Sequence, residues 1–246
     1  MSEETLPLPT QLVLISGVSN TGKSASLRNI LNQDQWMYLN TESGKRLPFR
    51  NDFDSHTITD PYQIHDGFIY AIDTPEVLGI IVDSLTFLMD MFNTKYIYNS
   101  ADGRSAWADY QQFFKKMLFE LVPKFDRPVV FTAHTRSELD ETAGQIITSV
   151  PIQGALKNVG IESFFSTIVS TKVVSLKELE AYDNKMLNIT EDDELLGFKH
   201  VFQTRLTKKT IGERIRSPMG FFSPKETFID NDVQVLLNHL NECYGN

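Results

Sequence analysis

Eight consecutive residues, Gly17, Val18, Ser19, Asn20, Thr21, Gly22, Lys23 and Ser24, have the types and spacing of a phosphate cradle. The glycines let the backbone curl with its N–H groups turned inward, and a helix behind the loop would add its positive dipole end. Lys23 is long enough to reach the β/γ-phosphates of a nucleotide, and the Ser24 hydroxyl can hold Mg²⁺. The expected nucleotide-contacting run extends from Gly17 to Ala25. Three further polar residues each close an apolar stretch. Asp83 follows residues 78–82, where a carboxylate at the end of a buried strand can support Mg²⁺ opposite Ser24 or simply cap the next helix. Glu42 follows residues 37–41, where it can orient or deprotonate a water molecule or face solvent as an ordinary loop acid. His134 follows residues 128–133, where it can contact a γ-phosphate or bond to nearby backbone.

These residues work together only if strands bring them to one edge. Residues 13–16 read as a first buried strand, 37–41 as a second, 56–59 as a short third and 167–174 as a later one. The continuous apolar runs 78–82 and 128–133 read as strands buried on both faces of a parallel sheet. Helical spacing predicts helices over 25–31, 62–72, 85–92, 106–121 (closed by Pro123), 154–165 and 232–240. Residues 93–105 and 135–153 read as polar loops, the second a mobile one. Residues 175–196 read as an exposed acidic insertion, and 198–207 with 214–222 as a C-terminal β-hairpin turning at 208–212. Strands alternating with helices argue for a single α/β domain over residues 1–246, with residues 1–10 as a short arm.

Composition bounds the function. The 246 residues are 41% apolar, enough for a real core, and carry a net charge of −9, which speaks against general attraction to nucleic acid. The basic residues Arg205, Lys208, Lys209, Arg214 and Arg216 nevertheless lie close together in the chain. They read most simply as charges on a solvated edge strand. A sharper reading makes Arg205, Lys208 or Lys209 a cation acting in trans on the γ-phosphate of a neighbouring copy. The acidic start lacks the basic and apolar regions of a signal peptide, and no apolar run approaches a membrane span. The single cysteine fits a reducing cytoplasm, and the five histidines show no metal-ligand spacing.

The loop at residues 17–24, then Leu39, Asn40, Thr41 and Glu42, then residues 80–84, then Phe131, Thr132, Ala133 and His134, come in the order and spacing of the RecA-like core. The chain most resembles short phage-encoded RecA-like ATPases linked to single-strand annealing and recombination. The resemblance implies a RecA-like P-loop fold with a mostly parallel central sheet, ATP and Mg²⁺ as cofactors, and single-stranded DNA as partner. It implies that Glu42 activates water, with Lys23 beside it at the phosphates, and that His134 couples the γ-phosphate to a DNA-binding loop. Residues 93–105 and 135–153 correspond to the two loops lining the DNA channel. They offer Lys95, Arg104 and Arg136 to phosphates and Tyr96 and Tyr98 to bases. Lys157 closes a Gly154-Ala155-Leu156-Lys157 turn that resembles the exit from the second loop. Asn40 departs from the aspartate common there, and the chain shows neither the large N-terminal assembly module nor the C-terminal DNA-gathering domain of bacterial RecA. Self-association as a ring, a filament or a partner-dependent assembly, with a single-strand-binding protein as a further partner, in the host cytoplasm is the corresponding expectation. Two other function classes share the loop: a nucleotide or small-molecule kinase, and a nucleotide-binding regulatory module with little turnover.

Overall fold

The computed structural model describes residues 11–142, 144–158 and 160–245, and the arm expected at residues 1–10 lies outside them. The strands are β1 (Leu12–Gly17), β2 (Trp36–Asn40), β3 (Asp54–Thr57), β4 (Gly79–Asp83), β5 (Val129–His134), β6 (Arg136–Asp140), β7 (Gln145–Ser149), β8 (Thr167–Ser175), β9 (Phe198–Gln203) and β10 (Phe228–Asp230). The α-helices are α1 (Tyr62–Ile72), α2 (Leu85–Phe92), α3 (Gly103–Lys116), α4 (Val122–Phe125), α5 (Leu176–Leu179), α6 (Glu191–Leu196) and α7 (Val233–Tyr244).

Eight strands form one sheet in the order β10-β9-β8-β1-β5-β4-β2-β3. Every pairing from β8 to β3 is parallel, and β9 and β10 join antiparallel at one end. The chain is therefore α/β, with a mostly parallel central sheet flanked by helices. The central strands are buried on both faces, which is why their sequences are continuous apolar runs. Leu12 and Leu14 belong to a core shared with Ile64, Phe68, Leu88 and Phe114 of α1, α2 and α3. Val13 and Ile15, one residue out of phase, belong to a core shared with Leu236, Leu237 and Leu240 of α7. Full burial of such side chains contributes about 1.5–3 kcal/mol each.

Several elements differ from the sequence expectation. The helix expected at 25–31 is a single 3₁₀ turn, Ser24–Leu27, and Asn32 adopts a left-handed conformation (φ 52°) before the chain enters β2. Serine and asparagine compete with helix backbone bonds, and this short segment must also bury Leu27 and Ile30 against the sheet. Residues 93–105 are not a loop throughout. A π-turn, Asn93–Ile97, extends α2, and α3 starts at Gly103 because the Asp102 side chain accepts from the N–H groups of Arg104 and Ser105. Pro123 does not end the helical run. A π-turn, Met117–Leu121, leads into α4, where proline occupies the first turn and needs no N–H partner.

Residues 135–153 hold an antiparallel pair, β6 with β7, rather than a mobile loop. A neighbouring segment supports it: Thr148 donates its backbone N–H to Gly212 O. Residues 154–165 form two 3₁₀ turns, Gly154–Asn158 and Ile161–Phe164, with Gly160 at φ 78° breaking a continuous helix. Residues 175–196 are not merely an exposed insertion, because Leu179 and Leu187 are buried against Val174, Val201 and Phe228. The expected C-terminal hairpin is also corrected. Residues 198–203 form β9, but its antiparallel partners are β8 and β10, not 214–222. In that segment Arg216 alone bridges to the sheet, at Ile168, and Pro218 and Gly220 (φ 86°) prevent further strand pairing.

Candidate functional site

β1 lies between β5 and β8: the connection out of β1 runs to β2 on one side, and the connection out of β5, through β6 and β7, crosses to β8 on the other, the arrangement at which ligands bind beyond the carboxyl ends of parallel strands. In register, Gly17 at the end of β1 lies beside His134 at the end of β5. Asp83 at the end of β4 lies beside Asn40 at the end of β2, and Glu42 follows two residues later. Lys23, Ser24, Glu42, Asp83 and His134 consequently line one cleft of about 760 Å³.

The loop after β1 is shaped by close approach. A side chain at position 17 would strike Thr171 Oγ1 of β8 and meet Thr21 Oγ1 at 2.9 Å. Gly22 has φ 99°, and a side chain there would strike Asn231 Nδ2. Asn20 also has positive φ, 65°. The Thr21 hydroxyl donates to Val18 O at 2.8 Å and shares a 2.5 Å bond with Thr171 Oγ1. From the far side Asn231 Nδ2 donates to Gly22 O at 2.9 Å, and His200 Nδ1 donates to Thr21 O at 3.1 Å. The loop is thus held by β8, β9 and the residue after β10. With a single 3₁₀ turn behind it, little helix dipole supports it.

Lys23 Nζ donates to Gly17 O at 3.0 Å and to Val18 O at 2.8 Å. Burial lowers its pKa to about 8, against the opposing pull of Asp83 and Glu42. Asp83 is 3% exposed and accepts from Ser24 Oγ at 3.0 Å, from Tyr38 OH at 2.8 Å and from Thr132 Oγ1. Burial, then the Asp83 charge and hydrogen bond, push the Tyr38 phenol well above its usual range. Glu42 is anchored by its own N–H, which donates to Asn40 Oδ1 at 2.9 Å. His134 Nε2 stands 3.6 Å from Glu42 Oε1, and Lys45 Nζ 2.9 Å from Oε2. His134 first and Lys45 second hold the Glu42 carboxyl at about 2, with burial opposing them.

Ser24 and Asp83 offer a hydroxyl and a carboxylate side by side. This hard-oxygen pair fits Mg²⁺, which takes one or two protein ligands and fills the rest of its shell with phosphate oxygens and water. Among the described residues no group of three or more His, Cys, Asp or Glu side chains could hold a metal by itself.

Comparison with models of known protein families and with characterised protein sequences returns no match.

The other candidates lie outside the cleft. Arg205 donates to Phe222 O at 2.5 Å, Lys209 pairs with Glu178 at 3.0 Å, and Lys208 is exposed. Lys95 is held by Asp60 at 3.1 Å and Arg136 by Glu138 at 3.4 Å. Arg104 lies exposed in the first turn of α3, and Lys157 is exposed in a 3₁₀ turn. Tyr96 is tied by its hydroxyl to Asp60 at 2.6 Å, whereas Tyr98 is largely exposed. Sequence reasoning missed Lys45, Tyr38, Thr132, Thr171, His200 and Asn231. Lys45 carried a local signal, three residues after Glu42 in the same turn. The others reach the site only through strand register or from the last third of the chain. So does the far wall of the cleft, where Lys199 pairs with Asp193 at 2.8 Å and Asp230 at 3.4 Å. Among the described residues no helix is long and apolar enough to cross a membrane.

Proposed function

We propose that the chain is a RecA-like ATPase of the phage type that hydrolyses ATP with Mg²⁺ while assembled on single-stranded DNA. The observation that carries this reading is the convergence of Lys23, His134, Asp83 and Glu42, from four neighbouring strands, on one cleft. Ser24 and Asp83 hold Mg²⁺, which when bound neutralises charge on the phosphates. Lys23 exchanges its two carbonyl partners for anionic oxygens. Glu42 is ionised throughout the neutral range, and its low pKa suits it to orienting water more than to retaining a proton. His134 touches Glu42 on one side. Its backbone N–H donates to Thr86 Oγ1 at 2.8 Å, and Arg136 begins β6 two residues later. It therefore links the reacting end of the nucleotide to α2 and to the β6–β7 pair.

Lys95, Arg104, Arg136 and Lys157 supply contacts to DNA phosphates. The ion pairs of Lys95 and Arg136 are at the surface and worth little, so a phosphate displaces them readily. Lys208, with Arg205 or Lys209, lies outside its own cleft and is suited to completing that of an adjacent copy in a ring or filament. Recombination, annealing or replication of phage DNA in the host cytoplasm, beside a single-strand-binding protein, is the setting this implies. The test measures particle mass and phosphate release together, with and without single-stranded DNA. Turnover stimulated by DNA, together with growth in mass, is expected. A rate indifferent to DNA, or phosphate transferred to a second small molecule, overturns it.

A further inference from the structure

The cations suited to completing an adjacent copy's cleft lie outside this one, yet the cleft wall has a further cation of its own. Lys45 lines the cleft with Lys23, Glu42, Asp83 and His134, and its Nζ stands 2.9 Å from Glu42 Oε2. Lys23, Arg28 and Lys199, on the same wall, are each held by two partners: Gly17 O and Val18 O, Ala25 O and Asn231 O, Asp193 and Asp230. The Lys45 side chain is 70% exposed and that of Glu42 only 9%. The pair thus joins a cation on a long solvated stem to a fixed carboxylate, and so open an ion pair is worth little. The bond to Glu42, then the Glu42 charge, raise the Lys45 pKa, so the side chain stays charged through the neutral range.

The turn after β2 is built to aim this cation. Ser43 and Gly44 have positive φ, 55° and 75°, which folds the chain back, and the Lys45 N–H donates to Glu42 O at 3.1 Å. Asn40, 7% exposed, clamps both ends of the turn. Its Oδ1 accepts from the Glu42 N–H and its Nδ2 donates to Lys45 O, each at 2.9 Å. An amide can do both, whereas a carboxylate there would turn an acceptor on the Lys45 carbonyl. Lys45 is then near enough to the phosphate loop that its charge opposes that of Lys23 and is drawn by Asp83.

Without nucleotide, Glu42 faces His134 with Oε1 and Lys45 with Oε2, so neither oxygen is free to orient water. A terminal phosphate brings about two negative charges and three acceptor oxygens, against one charge and two oxygens on Glu42. We propose that Lys45 leaves Glu42 for the γ-phosphate of bound ATP, so that one movement both marks the nucleotide as a triphosphate and frees a carboxylate oxygen for the attacking water. This rests on the ATPase reading above and adds to it a phosphate-sensing cation supplied by the chain's own cleft. ADP, whose phosphates end in the loop, leaves Lys45 on Glu42 and the carboxylate locked.

Calorimetry on the full chain with Mg²⁺ compares ADP with the β,γ-methylene analogue of ATP. Lys45→Met should weaken the analogue about tenfold relative to ADP, the lower end for a hydrogen bond to a charged group, and Lys45→Arg should restore most of that loss. Lys45 is exposed, so the variants keep the fold, which urea unfolding checks. A Lys45 that only positions Glu42 would lower turnover in Lys45→Met without moving the ratio of the two affinities, and that result overturns the proposal. So does equal weakening of both nucleotides, which would make Lys45 a general attraction for phosphate. A ratio changed by Arg46→Ala, the next residue on the same wall, and not by Lys45→Met overturns it as well. If the wild-type chain binds neither nucleotide, the ATPase reading fails and takes this proposal with it. If both bind and Lys45→Met leaves their ratio unchanged, this proposal fails alone.

Discussion

Lys23 and Glu42 line the same cleft, but their surroundings push them in different ways. Burial lowers Lys23 from 10.5 to about 8, so between those values the free side chain is partly neutral. Phosphate favours the charged form. Nucleotide binding should therefore take up a proton above pH 8 and none well below it, and affinity should fall as pH rises from 8 toward 10.5. Calorimetry in two buffers of different ionisation enthalpy measures this uptake, and Lys23→Ala should abolish both uptake and binding. Glu42 has the opposite sign. Its folded pKa, about 2, lies below the unfolded value of 4.5, so its contribution to stability is complete above 4.5 and is lost as pH falls toward 2. Glu42→Gln should retain nucleotide and lose roughly 10²–10⁴ in turnover. Its stability deficit in urea should shrink as pH falls from 6 to 3. Asp83 is a buried charge met by three hydroxyls. Tyr38→Phe should cost about 1.5–3 kcal/mol, the range for a hydrogen bond to a charged group, measured by urea unfolding.

Among the elements, α3 offers a direct check, because its start depends on one side chain. Asp102→Ala should cost about 1 kcal/mol and raise hydrogen exchange over the first turn after Gly103 without changing the sheet. Residues 93–105 read as a loop because they are polar, and the sequence reading did not single out Asp102 as a cap. The strands that carry the site were the most legible elements, since β4 and β5 must be continuously apolar to lie inside a parallel sheet. What could not be read was order created by distant partners. The β6–β7 pair looks like a polar loop until Gly212 meets Thr148, and β9, already antiparallel to β8, finds its second antiparallel neighbour beyond two prolines, at residues 228–230. The turn Ser24–Leu27 failed for a different reason: the apolar spacing of Leu27 and Ile30 is helical, but they are buried without a helix forming.

At the scale of the molecule, a net charge of −9 must coexist with any contact to nucleic acid, so binding has to rest on a few local cations. If Lys95, Arg104, Arg136 and Lys157 each neutralise one phosphate, log affinity should fall with log salt at a slope of about −3, and Arg104→Ala or Arg136→Ala should each flatten it by about 0.7. Titrations at several salt concentrations give the slope. The shared edge of the four polar strand ends was legible in the sequence, but the order of their strands across the sheet, β1-β5-β4-β2, was not, since it differs from their order in the chain. The far wall of the cleft was not legible, since it comes from a segment whose acidity suggested only solvent. The bracing of the loop also bears on how the protein is made. Every motif residue has left the ribosome once His134 has, but Thr171, His200 and Asn231, which hold the loop, have not. The nascent chain therefore carries a complete phosphate-binding signature well before it can grip phosphate, and the chemistry encoded first is assembled last.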